Sequence, residues 1–546
     1  MERENFQLYW CEECKIPVFE KTCGCCGKEA RLFVKDARVV FPEEKVLLEI
    51  LLGMEQGELD TCSVWNGAGN IYYSDGVRLP LKISELRERN VEEIRERYET
   101  RISKMDDSYF REMIRTFVKA NQRRYSDIEK EATDYIIKET KEFDFGDMFI
   151  SFSGGKDSTV VADLVKRALG NSRILHLYGD TTLEFPMTEQ YVAEYKKENP
   201  GTFMLSSRNK EMNFEDLCEM LGPPSRVMRW CCTVFKTGAI NEKIEALFKK
   251  HRKIIAFQGI RHSESASRSK YERTSTNSKI AKQITLCPII DWYDIDVWLY
   301  ILTRGILFNF AYRLGYARVG CYCCPNNSWW SEFLSSIFIP KEHEHFQKIL
   351  MDFAIKVGKK DADVYVKEGK WKARQGGNGL EHARKSIVSF EPCVKEDNAF
   401  NYDLDRPIEE DFYELFKPFG RINKEIGKQR LGEVYVLNKD NTPILKLVGR
   451  KGQKRLKVVI YDAKAFRVRS IQEVKGKIDC QITKYQMCMG CKACQSVCRF
   501  DALSVSEAKD GSIQYRIEEE KCVKCQECVG HFTAGCYMRK VLAIKR

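Results

Sequence analysis

The chain contains 23 cysteines, and most of them fall into close groups whose spacing is typical of metal ligands. Near the start, two Cys-x-x-Cys pairs are separated by eight residues. Four thiolates at this spacing suit tetrahedral zinc, and a bound metal can fold a segment that is too small to build its own core. A single rubredoxin-like iron and cysteines without metal are the alternatives. The predicted zinc ligands are Cys11, Cys14, Cys23 and Cys26.

Two further runs of cysteine lie near the other end, between positions 488 and 536. In each run three thiolates are closely spaced, so they can wrap one face of an iron–sulfur cluster while the fourth ligand comes from the other run. This pattern resembles two-cluster ferredoxins, except that Arg499 replaces the usual Pro and seven residues, not three, precede Cys536. Zinc or structural thiols are the alternatives. The predicted [4Fe-4S] ligands are Cys488, Cys491, Cys494 and Cys536 for the first set, and Cys498, Cys522, Cys525 and Cys528 for the second set.

Residues 149–158 combine a buried strand, two glycines and the sequence Lys-Asp-Ser before an amphipathic helix. The glycines let backbone N–H groups close around an anion, while the helix N-terminus and Lys156 supply positive charge. A phosphate chain fits such a loop, which we call the phosphate loop (residues 153–158). A strand-to-helix turn without any ligand is the alternative.

The phosphate loop matches the Ser-Gly-Gly-x-Asp-Ser motif of ATP pyrophosphatases, and residues 146–330 resemble the phosphoadenylyl-sulfate reductase family of the adenine nucleotide alpha-hydrolase group. Segments 180–188, 259–265 and 288–298 carry the rest of the resemblance. It implies nucleotide binding by Ser151, Ser153, Gly154, Gly155, Lys156, Asp157, Ser158, Asp180, Gly259 and Arg261. It also implies catalytic roles for Lys156, Asp157, Arg261 and Arg268, although isolated arginines are usually solvated surface charges.

The central cysteines resemble the ligands of the iron–sulfur subclass of this family, the adenylyl-sulfate reductases. This resemblance implies one [4Fe-4S] cluster, with zinc or buried thiols as alternatives. The implied ligands are Cys231, Cys232, Cys321 and Cys324. Family reductases that attack with a thiol carry a C-terminal Glu-Cys-Gly segment, which this chain lacks; Cys393 follows Glu391-Pro392 instead. Lys156 and Ser158 are retained, as in enzymes that cleave ATP to AMP and pyrophosphate.

These motifs need elements that hold them in place, and apolar runs at 148–152, 173–178, 202–205 and 253–258 alternate with helical stretches. The alternation predicts an α/β fold with a parallel-sheet core of the adenine nucleotide alpha-hydrolase type, helical flanks, and small zinc-ribbon, basic β and ferredoxin-like modules. The expected segments are a zinc ribbon (1–35), a small β-containing unit (36–80), a helical connector (81–145), the nucleotide-binding core (146–345), a helical extension (346–430), a basic β domain (431–480) and the two-cluster ferredoxin domain (481–546).

Composition excludes a fibre or a disordered chain, because 43% of the 546 residues are apolar and 31% are charged. No apolar run is long enough to cross a bilayer, and the charged start lacks a secretory signal, so we expect a cytoplasmic protein without a membrane partner. The net charge of +11 is concentrated between Lys446 and Lys477, where eleven basic residues face two acidic ones. This basic segment predicts either a phosphate-backbone contact or a solvated sheet face. Its candidate residues are Lys446, Arg450, Lys451, Lys454, Arg455, Lys457, Lys464, Arg467 and Arg469.

The leading functional hypothesis is an iron–sulfur oxidoreductase that binds an adenine nucleotide and reduces a sulfur group with electrons from its ferredoxin-like module. The expected cofactors are three [4Fe-4S] clusters, one structural zinc, and an adenine nucleotide with or without magnesium. The expected partners are a small sulfonucleotide or ATP and an electron donor protein or reductant. A second hypothesis is an ATP-dependent sulfurtransferase that thiolates RNA or DNA, and a third is a redox sensor that binds nucleotide without turnover.

Overall fold

A computed structural model of the chain describes residues 6–210, 212–226, 228–249, 251, 253–276, 282–373, 388–394, 396–488, 493–507, 513–530 and 536. The chain forms two compact units. The first comprises Met1–Ser207, Phe248–Thr276 and Gln283–Phe346, and the second comprises Arg208–Leu247, Asn277–Lys282 and Gln347–Arg546. The seven-segment division expected from the sequence stays a prediction.

The central sheet of the first unit has five parallel strands and one short antiparallel edge strand. In spatial order its strands are Met204–Ser207, Leu175–Gly179, Met148–Phe152, Ile254–Phe257, Gln283–Leu286 and Thr274–Ser275. The four predicted strands are therefore confirmed, each within two residues at either end. The middle strands are buried along nearly their whole length because helices cover the sheet.

The strand order reverses between Met148–Phe152 and Ile254–Phe257. In open parallel sheets, ligands bind at the carboxyl ends of the strands at such a reversal point. The phosphate loop follows the first of these strands, and Gly259 and Arg261 follow the second. The topology therefore brings the principal predicted nucleotide residues to one edge.

The remainder of the first unit consists of two small antiparallel sheets and several helices. One sheet contains Tyr9–Cys11, Ile16–Val18 and Arg31–Leu32, and the other contains Ala37–Val39, Val64–Gly67, Ile71–Ser74 and Val77–Arg78. The helices that lie wholly within the unit are Pro42–Leu52, Val91–Ile102, Ser108–Ala120, Gln122–Thr140, Lys156–Ala168, Pro186–Glu198, Asp294–Arg304 and Trp329–Phe338. Helix Pro340–Lys356 leads the chain into the second unit.

The second unit is built around a six-stranded antiparallel sheet and a cysteine-rich hairpin. In spatial order the sheet contains Val388–Pro392, Ala399–Leu404, Arg455–Ile460, Pro443–Val448, Glu433–Leu437 and Arg421–Asn423, and the hairpin contains Leu503–Glu507 and Ile513–Ile517. Its helices are Phe214–Leu221, the π-helix Cys232–Gly238, Ala239–Leu247, Ala362–Lys367, Ile471–Met487, Ala493–Ser496 and Glu527–Gly530.

The structure corrects two expectations for the second unit. The expected helical extension at 346–430 contains the strands Val388–Pro392, Ala399–Leu404 and Arg421–Asn423. Apolar and polar side chains alternate over residues 400–404 with the period of a strand. The expected basic β domain at 431–480 ends in a helix, Ile471–Met487, whose buried residues follow helical spacing. The glycine cluster at 376–379 lies outside the described residues.

Within the described part of the chain, no helix combines the length and apolar character needed to span a membrane.

Candidate functional site

Two glycines shape the phosphate loop, and a side chain at the first of them, Gly154, would be strained. Gly154 has φ +71°, and a Cβ atom there would lie 2.8 Å from Cγ2 of Thr188. A Cβ atom on Gly155 would lie 3.2 Å from the hydroxyl of Tyr312, which accepts a 3.0 Å hydrogen bond from the backbone N–H of Lys156. The loop therefore packs directly against its neighbours at both glycines.

Ser158 closes the phosphate loop from inside. Its Oγ accepts a hydrogen bond from the backbone N–H of Ser153 at 3.2 Å and donates to the carbonyl of Gly155 at 2.8 Å. Ser151, predicted to bind nucleotide, lies within strand Met148–Phe152 and pairs with Leu177 of the neighbouring strand. Ser151 is therefore part of the central sheet and lies just before the loop.

A buried group of two cations and two carboxylates lies beside the phosphate loop. Nζ of Lys156, which is 3% exposed, lies 3.1 Å from Asp294 and 3.3 Å from Asp157. Arg261 donates to Asp157 at 2.5 Å and to Asp294 at 2.8 Å. Burial acts to raise the pKa of Asp157, but Arg261 and Lys156 outweigh it and lower this pKa to about 2. We call these four residues the ionic cluster.

Asp294 in the ionic cluster was not predicted from the sequence, and neither was its neighbour Asp36. The carboxylate of Asp36 accepts hydrogen bonds from the backbone N–H groups of Asp294 at 3.0 Å and Ile295 at 3.1 Å, so it caps helix Asp294–Arg304. Burial and the charge of Asp294 raise the pKa of Asp36 to about 7. Asp36 lies 258 residues before Asp294 in the chain, and no local signal marks it.

The structure separates the roles predicted for Gly259 and Arg268. A Cβ atom on Gly259 would lie 2.6 Å from the carbonyl carbon of Asp157 and 2.8 Å from the backbone nitrogen of Ser158, so this glycine permits close packing against the start of the loop helix. Arg268 instead forms an ion pair with Glu264, and burial lowers its pKa. Its predicted catalytic role stays a prediction.

The residues after strand Leu175–Gly179 contact the second central cysteine pair. Oγ1 of Thr181 donates to Glu184 at 2.6 Å and lies 3.4 Å from Sγ of Cys321. Thr182 has φ +64°, which is rare for a β-branched residue and stands where the resembling family has glycine. Predicted Asp180 steadies this turn, because its Oδ1 accepts a hydrogen bond from the backbone N–H of Thr182 at 3.0 Å.

Cys321 therefore lies at the carboxyl end of the strand next to the one that carries the phosphate loop. The Cys-x-x-Cys segment itself forms a tight turn, in which the backbone N–H of Cys324 donates to the carbonyl of Cys321 at 3.2 Å. Cys231 and Cys232 lie in the second compact unit, where Cys232 begins a π-helix. The four-thiolate set of the central cluster thus stays a prediction.

The N-terminal cysteines come together as predicted. The Sγ atoms of Cys11, Cys14, Cys23 and Cys26 all lie within 4.8 Å of one another. The first pair follows strand Tyr9–Cys11, and the second pair sits in a turn closed by a 2.9 Å hydrogen bond from Gly27 N–H to the Cys23 carbonyl. Four convergent sulfurs with no carboxylate among them form a site that could bind zinc.

The two C-terminal ligand sets stay a prediction, and the electrostatic interactions between their thiols occur both within each set and between the sets. Burial is the main cause that raises the pKa of Cys494 to about 12, and Cys488 and Cys536 of the same set add to the rise. Burial likewise raises the pKa of Cys522, with contributions from Cys498 and Cys525. Cys491 lies outside the described residues.

The whole second set lines one cavity, whose empty volume including its open mouth is about 340 Å³. Apolar side chains of Phe500, Leu503 and Ile517 complete the lining. Thiolate donors within a largely apolar shell suit an iron–sulfur cluster, whose potential depends on such burial. The four cysteines at this cavity are Cys498, Cys522, Cys525 and Cys528.

The basic segment is largely neutralised by carboxylates from the adjacent strand and loops. Five of its nine predicted side chains have an acidic partner within 4.0 Å, and these pairs favour a solvated sheet face over a nucleic-acid surface. The pairs are Lys446 and Lys457 with Glu396, Lys451 with Glu409, Lys454 with Asp405, and Arg455 with Asp403.

Two parts of the chain match known families. Residues 147–327 match the phosphoadenosine phosphosulfate reductase domain, and residues 487–531 match the 4Fe-4S dicluster domain. With the parallel sheet and the phosphate loop, these matches show one region similar to the PAPS reductase domain and a second region similar to the 4Fe-4S dicluster domain.

Individual relatives resemble parts of the chain. Two uncharacterized proteins of Methanocaldococcus jannaschii are 31% and 33% identical to the chain over 255 and 219 residues. These matches cover 47% and 39% of the chain but only about half the length of each relative, 51% and 50%. The adenosine 5'-phosphosulfate reductase of a Geobacillus species is 26% identical over 33% of the chain and 73% of its own length.

Solved structures show weaker overall similarity. The PAPS reductase of Candida auris, in complex with phosphate, has a TM-score of 0.28 and 14% identity over 37% of this chain and 97% of its own. The FMN adenylyltransferase of Candida glabrata, with FAD and pyrophosphate, has a TM-score of 0.30 and 16% identity over 36% of this chain and 64% of its own.

Proposed function

We propose that this protein is an iron–sulfur oxidoreductase of the PAPS/APS reductase type, which binds an adenylyl-linked sulfate at the phosphate loop and reduces it. The observation that carries the proposal is the position of Cys321, 3.4 Å from Thr181 at the end of the strand beside the phosphate loop. A thiolate at this position can hold an iron–sulfur cluster close to the sulfate group of a bound nucleotide. A cytoplasmic location would keep these thiolates reduced.

The reaction assigned to this site is a two-electron reduction. The bond between sulfur and the bridging phosphate oxygen breaks, and its electron pair stays on the oxygen of AMP. The two incoming electrons become the lone pair on the sulfur of sulfite. The two incoming electrons reduce sulfur from +6 to +4, and AMP and sulfite together carry the two added negative charges, so the step balances without a proton. When bound, a [4Fe-4S] cluster supplies one electron at a time, so the two predicted C-terminal clusters match this demand.

The residues of the ionic cluster have distinct tasks in this proposal. Lys156 and Arg261 are held by carboxylates in fixed positions, so they present preorganised positive charge to the phosphate. Negative charge grows on the leaving AMP oxygens as the sulfur–oxygen bond breaks, and these cations stabilise it. Ser158 and the two glycines shape the loop around the phosphate chain.

The retained Lys156 and Ser158 also suit ATP, so the sulfurtransferase is the second candidate. The absence of a Glu-Cys-Gly segment from the sequence removes the usual thiol nucleophile, which the proposal replaces by direct electron supply. The neutralised basic segment offers the sulfurtransferase little support. The two functions therefore differ mainly in what reacts with the nucleotide.

The test uses the full chain, purified without oxygen. Adenylyl sulfate or phosphoadenylyl sulfate should oxidise reduced methyl viologen, and sulfite should form in equal amount to AMP or adenosine bisphosphate. Lys156→Met should abolish this activity, whereas the exposed control Lys130→Met should retain it. Pyrophosphate release from ATP that depends on RNA or DNA, without sulfonucleotide turnover, would establish the sulfurtransferase instead. Nucleotide binding without either reaction would support the third hypothesis, a redox sensor without turnover.

A further inference from the structure

Lys484 is a buried cation inside the cysteine-rich module. It lies on helix Ile471–Met487, is 3% exposed, and its Nζ donates a 2.7 Å hydrogen bond to the carbonyl oxygen of Cys528. The same nitrogen lies 5.7 Å from the centre of the Tyr515 ring. A lysine is rarely buried without a partner that balances its charge.

The groups around Lys484 are thiols from both predicted ligand sets. Its buried ammonium group interacts electrostatically with the thiols of Cys480, Cys494, Cys528 and Cys536, and Cys494 and Cys528 lie in the same buried core as Tyr515. Cys494 and Cys536 belong to the first set and Cys528 to the second. Among the described residues, no carboxylate lies within 4.0 Å of its Nζ. Lys475 on the same helix differs, because it pairs with Asp479 at 2.8 Å.

This placement has an electrostatic consequence for any cluster that the thiols hold. A cluster takes up one negative charge on reduction, and a fixed positive charge nearby stabilises the reduced form more than the oxidised form. Because the site is buried, water and salt screen this interaction weakly. A cation placed near both sets acts on both clusters together.

We propose that Lys484 raises the reduction potentials of both C-terminal [4Fe-4S] clusters, so that the two one-electron carriers stay close in potential. Lys484 is thus a positioning charge for electron supply rather than a catalytic residue. The proposal rests on the iron–sulfur function assigned above to the two ligand sets, but not on the identity of the sulfur substrate.

Arg467 provides a matched comparison. Its Nη1 donates a 3.3 Å hydrogen bond to the carbonyl of Cys525, a member of the second set only. Its side chain is solvent-accessible, so its charge is better screened than that of Lys484. Arg467→Gln should therefore lower the potential of one cluster at most, and by less than a change at Lys484.

The experiment is a redox titration of the anaerobically purified full chain, followed by electron paramagnetic resonance. Lys484→Gln keeps a donor for the Cys528 carbonyl but removes the charge, and Lys484→Met removes both. In each neutral variant we expect the equilibrium constant for reduction to fall at least tenfold for both clusters, which corresponds to 59 mV for one electron. Lys484→Arg should restore values close to the wild type.

Three results would overturn the proposal. The first is unchanged reduction potentials in a variant with full iron content, and the second is a shift in the potential of only one cluster. The third is loss of iron in both neutral variants, which would assign Lys484 to cluster assembly. The titration needs neither nucleotide nor sulfur substrate, so its failure differs from failure of the reductase function. A wild-type module without two clusters would be evident from its iron content before any variant is made.

Discussion

Replacing Asp36 by asparagine removes one ionisable group from the edge of the ionic cluster while keeping a side-chain oxygen at the start of helix Asp294–Arg304. In the wild type the pKa of Asp36 is raised to about 7 by burial and by Asp294. Below that pH the group is neutral, and Lys156 and Arg261 balance Asp157 and Asp294. Above it the ionised Asp36 leaves one negative charge in excess beside the phosphate loop.

The size of the effect follows from Coulomb's law. If a phosphate binds about 8 Å from Asp36, one unit charge at an effective dielectric constant of about 20 costs about 2 kcal/mol. This is a ceiling of roughly thirtyfold in affinity, because a factor of ten corresponds to about 1.4 kcal/mol. We expect wild-type affinity for AMP or ATP to fall as pH rises from 6 to 8, and Asp36→Asn to flatten this fall.

The free energy of unfolding should also decrease as the pH rises and Asp36 ionises. An unfolded aspartate has a pKa of about 3.9, below the raised folded value. The stability contributed by Asp36 is therefore complete below pH about 4 and is lost as pH rises to about 7. Asp36→Asn removes this pH dependence of stability. The variant also loses one of the two capping hydrogen bonds, which lowers the free energy of unfolding by about 1 kcal/mol at every pH.

Titration calorimetry in buffers of different ionisation enthalpy provides the assay, because it counts protons taken up on binding. The wild type should take up a fraction of a proton near pH 7 when it binds nucleotide, and Asp36→Asn should take up less. The exposed control Asp134→Asn should behave as the wild type. If Asp36→Asn kept the wild-type pH dependence and proton uptake, the assignment of Asp36 to the phosphate site would be wrong.

Three further predictions test the other sites. Gly154→Ala should weaken nucleotide binding at least tenfold, because φ +71° and the 2.8 Å approach to Thr188 strain the loop, whereas Gly146→Ala, with open space around it, should bind normally in the same calorimetric assay. Cys26→Ser should lose the zinc measured by metal analysis, and the adjacent Cys25→Ser should keep it; equal zinc in both would contradict the predicted ligand set. Iron analysis of the anaerobic wild type should give about twelve irons per chain for three [4Fe-4S] clusters; a value of about eight would remove the central cluster.

The phosphate loop and its sheet could be predicted from sequence because their signals are local. An apolar strand, two glycines and a helix start follow one another within residues 148–168, and the positive φ of Gly154 favours glycine at that position. The convergence of the four N-terminal cysteines was predictable for the same reason, since each Cys-x-x-Cys pair lies in a turn of its own. Spacing carries information when the chemistry lies within a few residues.

The parts that sequence could not supply depend on strand pairing and on distant contacts. Asp36 meets Asp294 only because the chain brings two remote segments together. Asp403 faces Arg455 through strand register, so the basic segment is strongly charged in sequence but paired in the fold. The alternation at 400–404 was visible, but the helical pattern before it led to the wrong extension.

Two of the buried lysines, Lys156 and Lys484, keep their charge by opposite means. Lys156 is held by two carboxylates, so the ionic cluster is nearly neutral before a nucleotide arrives and phosphate must share its cations with Asp157 and Asp294. In the proposed reaction, this arrangement would help the product leave, because the carboxylates would pair with the cations again. Lys484 instead faces thiols, which become anionic ligands when a cluster binds. Its charge therefore acts continuously on the electron carriers, whereas the charge of Lys156 becomes fully available only when a phosphate competes for it.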